Sequence, residues 1–534
     1  MTSTFHGLET ARRGLTTQQA ALYVVGQNVA NANTLGYSHQ RVNMAAETAY
    51  PNPGMNREQI PGQMGTGVKA GSIQRVRESF LDVQYRSEST KLGYWTGRAE
   101  GLSKIEDVMD ELKGTGLSDS IDSFWQSIQD LATNSVNSGG KAVVRERGIA
   151  LADTFTYLNS SLNMVRSDLK NELNVTVEKA NSMLGSIDQL NKQIAAIEPH
   201  GYLPNDLYDS RDLLIDELSS MMNIKVDYVK NGGNSQAQAM GSAVIKLNNG
   251  TAEPLTLVDS TTVNPIALMF NGEDGAVDTI SIGGNAVPTA TFISEGMLLS
   301  LLQTYGYTNT EGKLAGDLPD MIKELDHMAY TFATEFNKVH KDGLSAKELA
   351  AWKTALESDP AAKIEDFNED ILFFTDEYNA DPQNVKGFAS RIRISDEIKE
   401  SYDYIANASV ATPNDGDASN LLKLADVFYE KLNYKDALAD SSPAAEKESL
   451  GAYLQSIIGT LAVKTEQADR LSVNSATLLQ NVSDRRSSVS AVSLDEEMTN
   501  MVQFQQAYNA SARMITMIDE CLDKIINGLG VGGR

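Results

Sequence analysis

Near the start of the chain, one set of apolar residues recurs every seven positions, at Leu8, Leu15, Leu22 and Val29. This period keeps an apolar stripe on one side of a helix and is typical of helices that pair lengthwise. The segment 31–36, Asn-Ala-Asn-Thr-Leu-Gly, has the composition that ends helices. The pattern therefore predicts an amphipathic helix that ends near residue 30.

A second repeat of the same period ends the chain, at Leu494, Met501, Tyr508, Ile515 and Leu522. The positions that alternate with it on the predicted seam are Met498, Gln505, Ala512, Asp519 and Ile526. Arg12, Gln19 and Gly26 interrupt the seam of the first helix in the same way. Each end of the chain thus carries one seam that polar or small residues interrupt.

Two interpretations of the paired ends remain open. The helices could belong to one ordinary core, or they could pack against copies of similar chains. Burying about ten apolar side chains stabilises the helix pair by roughly 15–30 kcal/mol. Ordering about thirty residues costs roughly 30–60 kcal/mol of backbone entropy. An isolated pair would be marginal, so these magnitudes favour packing against other subunits.

Between the ends, the hydrophobic period changes twice. Residues 78–225 follow the helical period, and alternation with Asn-Gly and Gly-Gly turns predicts strands over about 224–295. Helical patterns return at 318–340 and 420–479, on either side of an acidic, mixed stretch at 342–418. We therefore predict that the chain folds back on itself, so that its last helical segment returns to its first.

These patterns predict a fold that is mainly α with β insertions, in an elongated multidomain protein whose terminal helices form a coiled coil. The predicted domains are a terminal coiled coil, a helical rod domain, a small β-rich outer domain and a mixed acidic outer domain. Their boundaries are 1–60 with 485–534, 61–223 with 296–341 and 419–484, 224–295, and 342–418.

The composition of the chain argues against several classes of function. The 534 residues carry a formal net charge of −26, so a phosphate backbone would be repelled and nucleic-acid binding is disfavoured. No apolar run is long enough to span a bilayer, and we expect neither membrane insertion nor a cleavable secretory signal. The single cysteine, Cys521, excludes an intramolecular disulfide and is expected to be a small core or interface residue.

The sequence offers no catalytic constellation. None of the five histidines belongs to an H-E-x-x-H pair, and the loop 65–71 departs from a dinucleotide fingerprint at Ala70. Four aspartates share one helix face: Asp206, Asp209, Asp212 and Asp216. They suggest either a hard-cation site or a solvated, salt-bridged face near Arg211, and we favour the second. We therefore expect no enzymatic activity, no cofactor and no metal.

Several motifs resemble those of one family. The segment 31–38, Asn-Ala-Asn-Thr-Leu-Gly-Tyr-Ser, is similar to the N-terminal signature of bacterial flagellar axial proteins. The segments 494–498 and 504–513, which include Phe504-Gln505-Gln506-Ala507-Tyr508, are similar to the C-terminal signature of that family. The interior stretches 205–214 and 318–340 resemble its hook-associated junction members.

The resemblance implies a structural part of the bacterial flagellum that connects hook to filament and is required for filament assembly. It also implies export without signal cleavage through the flagellar type III apparatus, and a location outside the cell at the hook–filament junction. The implied partners are the hook protein, a second hook-associated junction protein, copies of the chain in a ring, and a cytoplasmic export chaperone that binds the C-terminal helix.

For the site, the resemblance implies an inner tube built from the paired terminal helices. The implied assembly residues are Leu8, Leu15, Leu22, Val29, Leu494, Met501, Phe504, Tyr508, Ile515 and Leu522. The implied turn at the tube wall consists of Asn31, Asn33, Gly36 and Tyr37. Leu35 and His39 depart from the family pattern, where proline and arginine are common, and His39 is expected to lack a charged contact between subunits.

Three alternatives remain, and one of them is a coiled-coil secreted effector unrelated to motility. The chain could be another axial protein, namely a second junction protein, a hook subunit or a filament subunit. It could also carry an enzymatic domain within an outer insertion, although neither insertion contains a zinc-binding or nucleophile motif.

Overall fold

A computed structural model describes residues 5–51, 54–55, 62–110, 116–250, 254–272, 275–377, 380–411, 413–434 and 447–528. Within these ranges the helices are α1 (Phe5–Ala30), α2 (Ser79–Asp110), α3 (Leu117–Thr133), α4 (Ser138–Ile197), α5 (Asn205–Met221), α6 (Met297–Tyr305), α7 (Asp317–Lys341), α8 (Ala346–Ser358), α9 (Asp396–Glu400), α10 (Ser419–Asp426), α11 (Leu450–Ser490) and α12 (Leu494–Gly528). The predicted mainly helical class with β insertions is confirmed.

The strands form small sheets, which are antiparallel except where β7 pairs parallel with β9. They are β1 (Gln40–Ala46), β2 (Val68–Arg75), β3 (Ile224–Val229), β4 (Ser242–Leu247), β5 (Leu255–Val258), β6 (Ile266–Phe270), β7 (Val277–Ile282), β8 (Asn285–Pro288), β9 (Tyr307–Thr308), β10 (Leu314–Ala315), β11 (Gly343–Ser345), β12 (Phe374–Thr375), β13 (Arg393–Ile394) and β14 (Ala406–Ser409). β1 pairs with β2, β11 with β14, and β12 with β13. The order is β3-β4-β5 in one sheet and β10-β9-β7-β6, with β8 on β7, in the other.

The strands predicted from alternation near 224, 244 and 280 are present as β3, β4 and β7. The turn between β7 and β8 is Gly283-Gly284, with φ of 56° and 89°. Glycine reaches this left-handed region at little cost, which allows a two-residue connection. The Gly-Gly pair thus closes the hairpin that the sequence pattern predicts.

Two long helices, α2 and α11, pack against each other along their length, and we call this pair the rod. They run in opposite directions, because Thr96 of α2 bonds Ser472 of α11 at 3.0 Å while Asp82 pairs with Arg486 nearer the ends. The next long helix, α4, spans 60 residues and is capped by Asn137, whose side chain accepts hydrogen bonds from two backbone N–H groups of its first turn. Such a cap satisfies donors that otherwise lack helical partners.

The acidic stretch 342–418 contributes to the central core. Phe373 and Phe374 are fully buried, and the ring of Phe373 lies 5.6 Å from Phe124 of α3 and 5.0 Å from Phe336 of α7. Tilted and edge-on ring pairs at these distances stabilise a core beyond the area they bury. The stretch is therefore anchored on the helices by its aromatic residues.

A buried histidine links this stretch to α7. Both ring nitrogens of His340 are satisfied, Nδ1 by the carbonyl of Ile371 at 2.8 Å and Nε2 by the N–H of Ala406 at 3.1 Å. This arrangement fits one neutral tautomer, with the proton on Nδ1. Burial lowers the pKa of His340 to about 4, although the bond to Ile371 partly opposes the change.

We expect His340 to make folding sensitive to mild acid. Its pKa is lowered in the folded chain, so the unfolded state binds the proton first and stability falls as the pH drops from about 6.5 towards 4. Between pH 7.5 and pH 5 the loss should be about 2 kcal/mol. Urea unfolding of wild type and His340→Gln at both pH values measures it, because the variant should lose less stability on acidification. The exposed His200 gives the control variant His200→Gln, which should keep the full wild-type loss.

None of the helices in the described ranges is both long and apolar enough to cross a membrane.

Candidate assembly interface

Helices α1 and α12 lie side by side in opposite directions, and two glycines of α1 face side chains of α12. A Cβ atom built on Gly7 would lie 3.3 Å from Cδ1 of Ile518, and one built on Gly14 would lie 3.1 Å from Oγ of Ser511. The two contacts are one heptad apart on both helices. Each heptad of α1 therefore meets one heptad of α12, as in an antiparallel coiled coil.

This geometry shifts the predicted seam of α1 by one position. The residues predicted to form the seam are half-buried and lie one position after the heptad positions of the glycines that face α12: Leu8, Leu15, Leu22 and Val29. The residues one position earlier, Gly7 and Gly14, face α12 directly, and Ala21 at the next heptad is 1% exposed. The glycines leave room for the side chains of Ile518 and Ser511, and the larger side chains of the predicted repeat lie next to these positions.

On α12 the predicted repeat lies mostly on the packed face. The half-buried residues of this face include Met501, Phe504, Tyr508, Ile515 and Leu522. Ser511 and Ile518 complete the face at the positions that contact α1. Leu494 does not belong to it, because it is the first residue of α12 and is 49% exposed.

The predicted polar interruptions of the seam were wrong. Gln505 and Asp519 of α12 are exposed, and so are Arg12, Gln19 and Gly26 of α1. Charged and amide side chains point to solvent because an unpaired polar group costs free energy when buried. The seam inside one chain is therefore continuous, and the interruptions lie on the outer faces of the pair.

A hairpin that the sequence analysis did not predict covers a further face of α1. β1 and β2 pair antiparallel along the helix, and the hydroxyl of Thr17 donates to the carbonyl of Val68 at 3.2 Å. Asn28 donates through Nδ2 to the carbonyl of Gln40 at 2.8 Å and is fully buried. The polar residues buried on α1 thus bond the hairpin backbone.

The turn after α1 holds two of the predicted wall residues in different environments. The Asn31 side chain donates to the carbonyl of Gln27 at 3.0 Å and accepts from the Thr34 hydroxyl at 3.2 Å, which closes the helix end. Asn33 and Leu35 are exposed, and Leu35 is 81% accessible. Asn31 therefore shapes the turn, and Asn33 remains available to solvent.

The other two predicted wall residues pack inward. Gly36 has φ of 81°, and a Cβ atom there would lie 3.3 Å from the side chain of Leu213 on α5. The Tyr37 hydroxyl donates to Oδ1 of Asn28 at 2.9 Å. These contacts dock the turn between α1 and α5. The assignment of the turn to an inner-tube wall stays a prediction.

His39 makes its contact within the chain. Its Nε2 lies 2.8 Å from Oε1 of Glu497 in the first turn of α12, and Glu497 is 1% exposed. The His39 N–H donates to the carbonyl of Ser490 at the end of α11, and the His39 carbonyl accepts from Val76. His39 therefore ties the start of α12 to the N-terminal segment, a contact that the sequence analysis did not foresee.

The aspartates of α5 are not a solvated face, and that part of the prediction was wrong. Only Asp206 of the four is exposed, whereas Asp209, Asp212 and Asp216 are buried. Arg211 does not pair with them. Its Nη1 donates to Oδ1 of Asn191 and to the carbonyl of Gly241, and its guanidinium lies between two tyrosine rings.

Arginines distant in sequence neutralise the buried aspartates. Together they form the Arg–Asp cluster, defined as Arg75, Arg77, Arg86, Arg486, Asp82, Asp209, Asp212 and Asp216. Burial alone would raise the pKa of Asp212, but attraction by Arg77 and Arg75 holds it below its ordinary value. The cluster thus remains charged inside the protein.

No group of three or more histidine, cysteine or acidic side chains in the described part of the chain could hold a metal ion. Cys521 is exposed on the outer side of α12, so it is not a core residue of the single chain.

Comparisons with known proteins agree with this arrangement. Residues 102–350 match the family model described as the flagellar hook-associated protein FlgK helical domain. Residues 8–37 match the model for flagella basal body rod proteins, and residues 485–528 match the C-terminal model of the flagellar basal body rod FlgEFG proteins. The two ends and the interior are thus similar to different parts of one class of proteins.

Two full-length relatives extend the similarity. The chain is 43% identical over 538 residues to flagellar hook-associated protein 1 of Bacillus subtilis, with 100% of both chains covered. It is 23% identical over 568 residues to the Escherichia coli protein of the same name, covering 97% of this chain and 99% of that one. The fold resembles the flagellar hook junction protein FlgK from Burkholderia pseudomallei, with a TM-score of 0.54 over 77% of this chain and 100% of that chain, at 13% identity.

Proposed function

The chain belongs to the family of flagellar hook-associated protein 1, and from that premise we propose that its paired terminal helices are the surfaces through which it assembles. It is a structural component of the flagellum at the junction between hook and filament. As a member of this family it belongs to the extracellular flagellum.

The observation that carries this proposal is the number of large apolar side chains that the α1–α12 pair leaves uncovered. On α12 they are at least 47% exposed: Leu494, Met498, Val502, Met514, Met517, Ile525 and Ile526. Phe5 and Tyr23 are similarly exposed on α1. A helix pair that is apolar both inside and outside is stable in water when other chains cover its outer faces.

From this geometry we also propose the partners of the chain. Copies of the chain would pack their terminal pairs side by side in a ring, with the hook protein on one side and the second hook-associated junction protein on the other. The matches of both ends to rod-protein models support a packing mode shared with other axial subunits. Because each subunit would carry the same heptad repeats, the helix pairs of successive subunits could pack into one continuous tube.

Export and its chaperone belong to the same proposal. The chain would leave the cell through the flagellar type III apparatus, and a cytoplasmic chaperone would first cover α12. The exposed apolar residues of α12 are the surface that such a partner recognises, because an amphipathic helix docks its apolar face into a groove. Assembly would then replace the chaperone with neighbouring subunits.

Deletion of the gene tests the junction role. We expect cells with complete hooks but without filaments, which release filament protein into the medium. Electron microscopy of the cells and immunoblots of the medium measure both results. Expression of the wild-type chain from a plasmid should restore attached filaments.

Cells that lack hooks after the deletion would instead identify the chain as a hook subunit. Cells that keep normal filaments would exclude a required role in filament assembly. Either result would refute the proposal, and the two can be distinguished in one set of micrographs.

A further inference from the structure

The segments that join the terminal helices to the rod converge on the Arg–Asp cluster. The N-terminal segment passes it after α1, the hairpin returns through it at the end of β2, and α11 reaches it shortly before α12 begins. The aspartates of α5 form its centre. The cluster therefore lies at the base of the terminal pair, where the direction of that pair is set.

The hairpin side of the cluster is held by two arginines. Nη1 of Arg75 lies 2.7 Å from Oδ1 of Asp209 and 3.0 Å from Oδ2 of Asp212. Arg77 contacts Asp212 through Nη1 at 3.1 Å and Asp82 through Nε at 2.8 Å. The end of β2 is thus fixed to both α5 and α2 by charge-assisted hydrogen bonds, which are short and directional.

The α11 side depends on a single arginine. Nη2 of Arg486 lies 2.6 Å from Oδ2 of Asp216, and its Nε lies 3.1 Å from Oδ1 of Asp82. Arg86 holds the second oxygen of Asp216 at 2.8 Å, and the Arg486 guanidinium stacks 4.6 Å from the Tyr85 ring centroid. Arg486 therefore bridges α5 and α2 just before the chain turns into α12.

Two further contacts tie the N-terminal segment to the same place. The Ser38 hydroxyl donates to Oδ1 of Asp209 at 2.7 Å, and the Ser38 N–H donates to Oδ2 at 3.1 Å. His39 contacts Glu497 at the start of α12. Every connection of the terminal pair is thus bonded either to the cluster or to a residue next to it.

We propose that the Arg–Asp cluster fixes the direction in which the terminal helix pair leaves the rod, with Arg486 as the positioning residue that links α11 to it. The inference deepens the proposed assembly function and rests on it. The four arginines and four aspartates of the Arg–Asp cluster balance in charge, so the cluster needs no added ion. Apolar packing is non-directional, whereas these ion pairs hold defined angles and are costly to break when buried.

Hydrogen–deuterium exchange on the purified full chain tests the cluster directly. In Arg486→Gln we expect exchange at least about tenfold faster for the amides of residues 38, 39, 76, 491 and 497, because these hydrogen-bonded amides lie on connections that lose their anchor. The amides of α3 and α4 should exchange as in wild type. Exchange that rises equally everywhere would show loss of general stability and would overturn the positioning role.

The matched control is the neighbouring arginine. Arg485 is exposed, so Arg485→Gln changes the same charge on the same helix and should leave junction exchange unchanged. Arg486→Lys should be intermediate, because one ammonium group cannot bridge both aspartates in the geometry of Nε and Nη2. Wild-type junction amides that exchange without protection would also refute the proposal.

In cells, Arg486→Gln should be exported normally yet give about tenfold fewer attached filaments than Arg485→Gln, because helix pairs that leave at varied angles cannot complete one ring. Wild-type filament numbers in Arg486→Gln would refute the inference. If the proposed function is wrong, the deletion strain keeps its filaments. The exchange experiment tests the cluster independently of that result, because it uses the purified chain.

Discussion

Replacing Gly14 with leucine should abolish filament attachment while leaving the rod folded. A Cβ atom at this position already lies 3.1 Å from Oγ and 3.8 Å from Cβ of Ser511, so the rest of a leucine side chain would occupy the space of α12 itself. Overpacking of this kind costs about 1–3 kcal/mol or more, and here the helices can relieve it by separating. Separation changes the shape of the surface that neighbouring subunits would meet.

A graded series makes this result interpretable. Gly14→Ala needs only a small movement of the Ser511 side chain and should retain most filaments, whereas valine and leucine should lose them progressively. Attached filaments counted by electron microscopy and secreted protein measured in the medium separate failed assembly from failed export. Wild-type motility in Gly14→Leu would contradict the proposed role of the seam.

Gly26 provides the matched control for folding. It lies on the same helix, is exposed, and has no atom within 4 Å of a built Cβ. Leucine in place of an exposed helical glycine should stabilise the purified chain by about 1 kcal/mol or less. Circular dichroism of the two leucine variants should therefore show opposite changes in thermal stability, because Gly14→Leu gains the same propensity but loses the packing.

The terminal helices were predictable because a heptad repeat is visible in the sequence itself, but the centre of their seam was not. Counting apolar residues selects Leu8 and Leu15 and passes over Gly7 and Gly14, since glycine carries no hydrophobic signal. Close contact of two helices is a property of the pair. The pattern of one chain segment therefore locates the interface to within one position on the helix.

Neither the Arg–Asp cluster nor the β1–β2 hairpin could be predicted from the sequence pattern. Asp216 pairs with Arg86 and Arg486, which are 130 and 270 residues away along the chain. Charged residues are usually exposed, so the helix face of α5 was assigned to solvent. β1 and β2 mix polar and apolar residues, are separated by residues 47–67 of the sequence, and accept hydrogen bonds from the side chains of Thr17 and Asn28 on α1.

The largest expected effect on the fold concerns Gly93, on the face of α2 that meets the end of α5. A Cβ atom there would lie 2.9 Å from the carbonyl carbon and 3.3 Å from the Cα atom of Ser220, and the carbonyl oxygen is closer still. These are backbone atoms, so no side chain can rotate away. Gly97 and Gly101 continue the same close approach towards Ser300 and Thr304 of α6.

Gly93→Ala should therefore lower the free energy of unfolding by about 3 kcal/mol or more, although alanine favours helices over glycine by about 1 kcal/mol. Urea unfolding followed by tryptophan fluorescence measures the change, because Trp95 lies two residues away on α2. Gly185 of α4 has no atom within 4 Å of a built Cβ, so Gly185→Ala should be neutral or stabilising. Equal stability of the two variants would show that α2 can shift away from α5 without cost, and the rod could then not hold the Arg–Asp cluster in one arrangement.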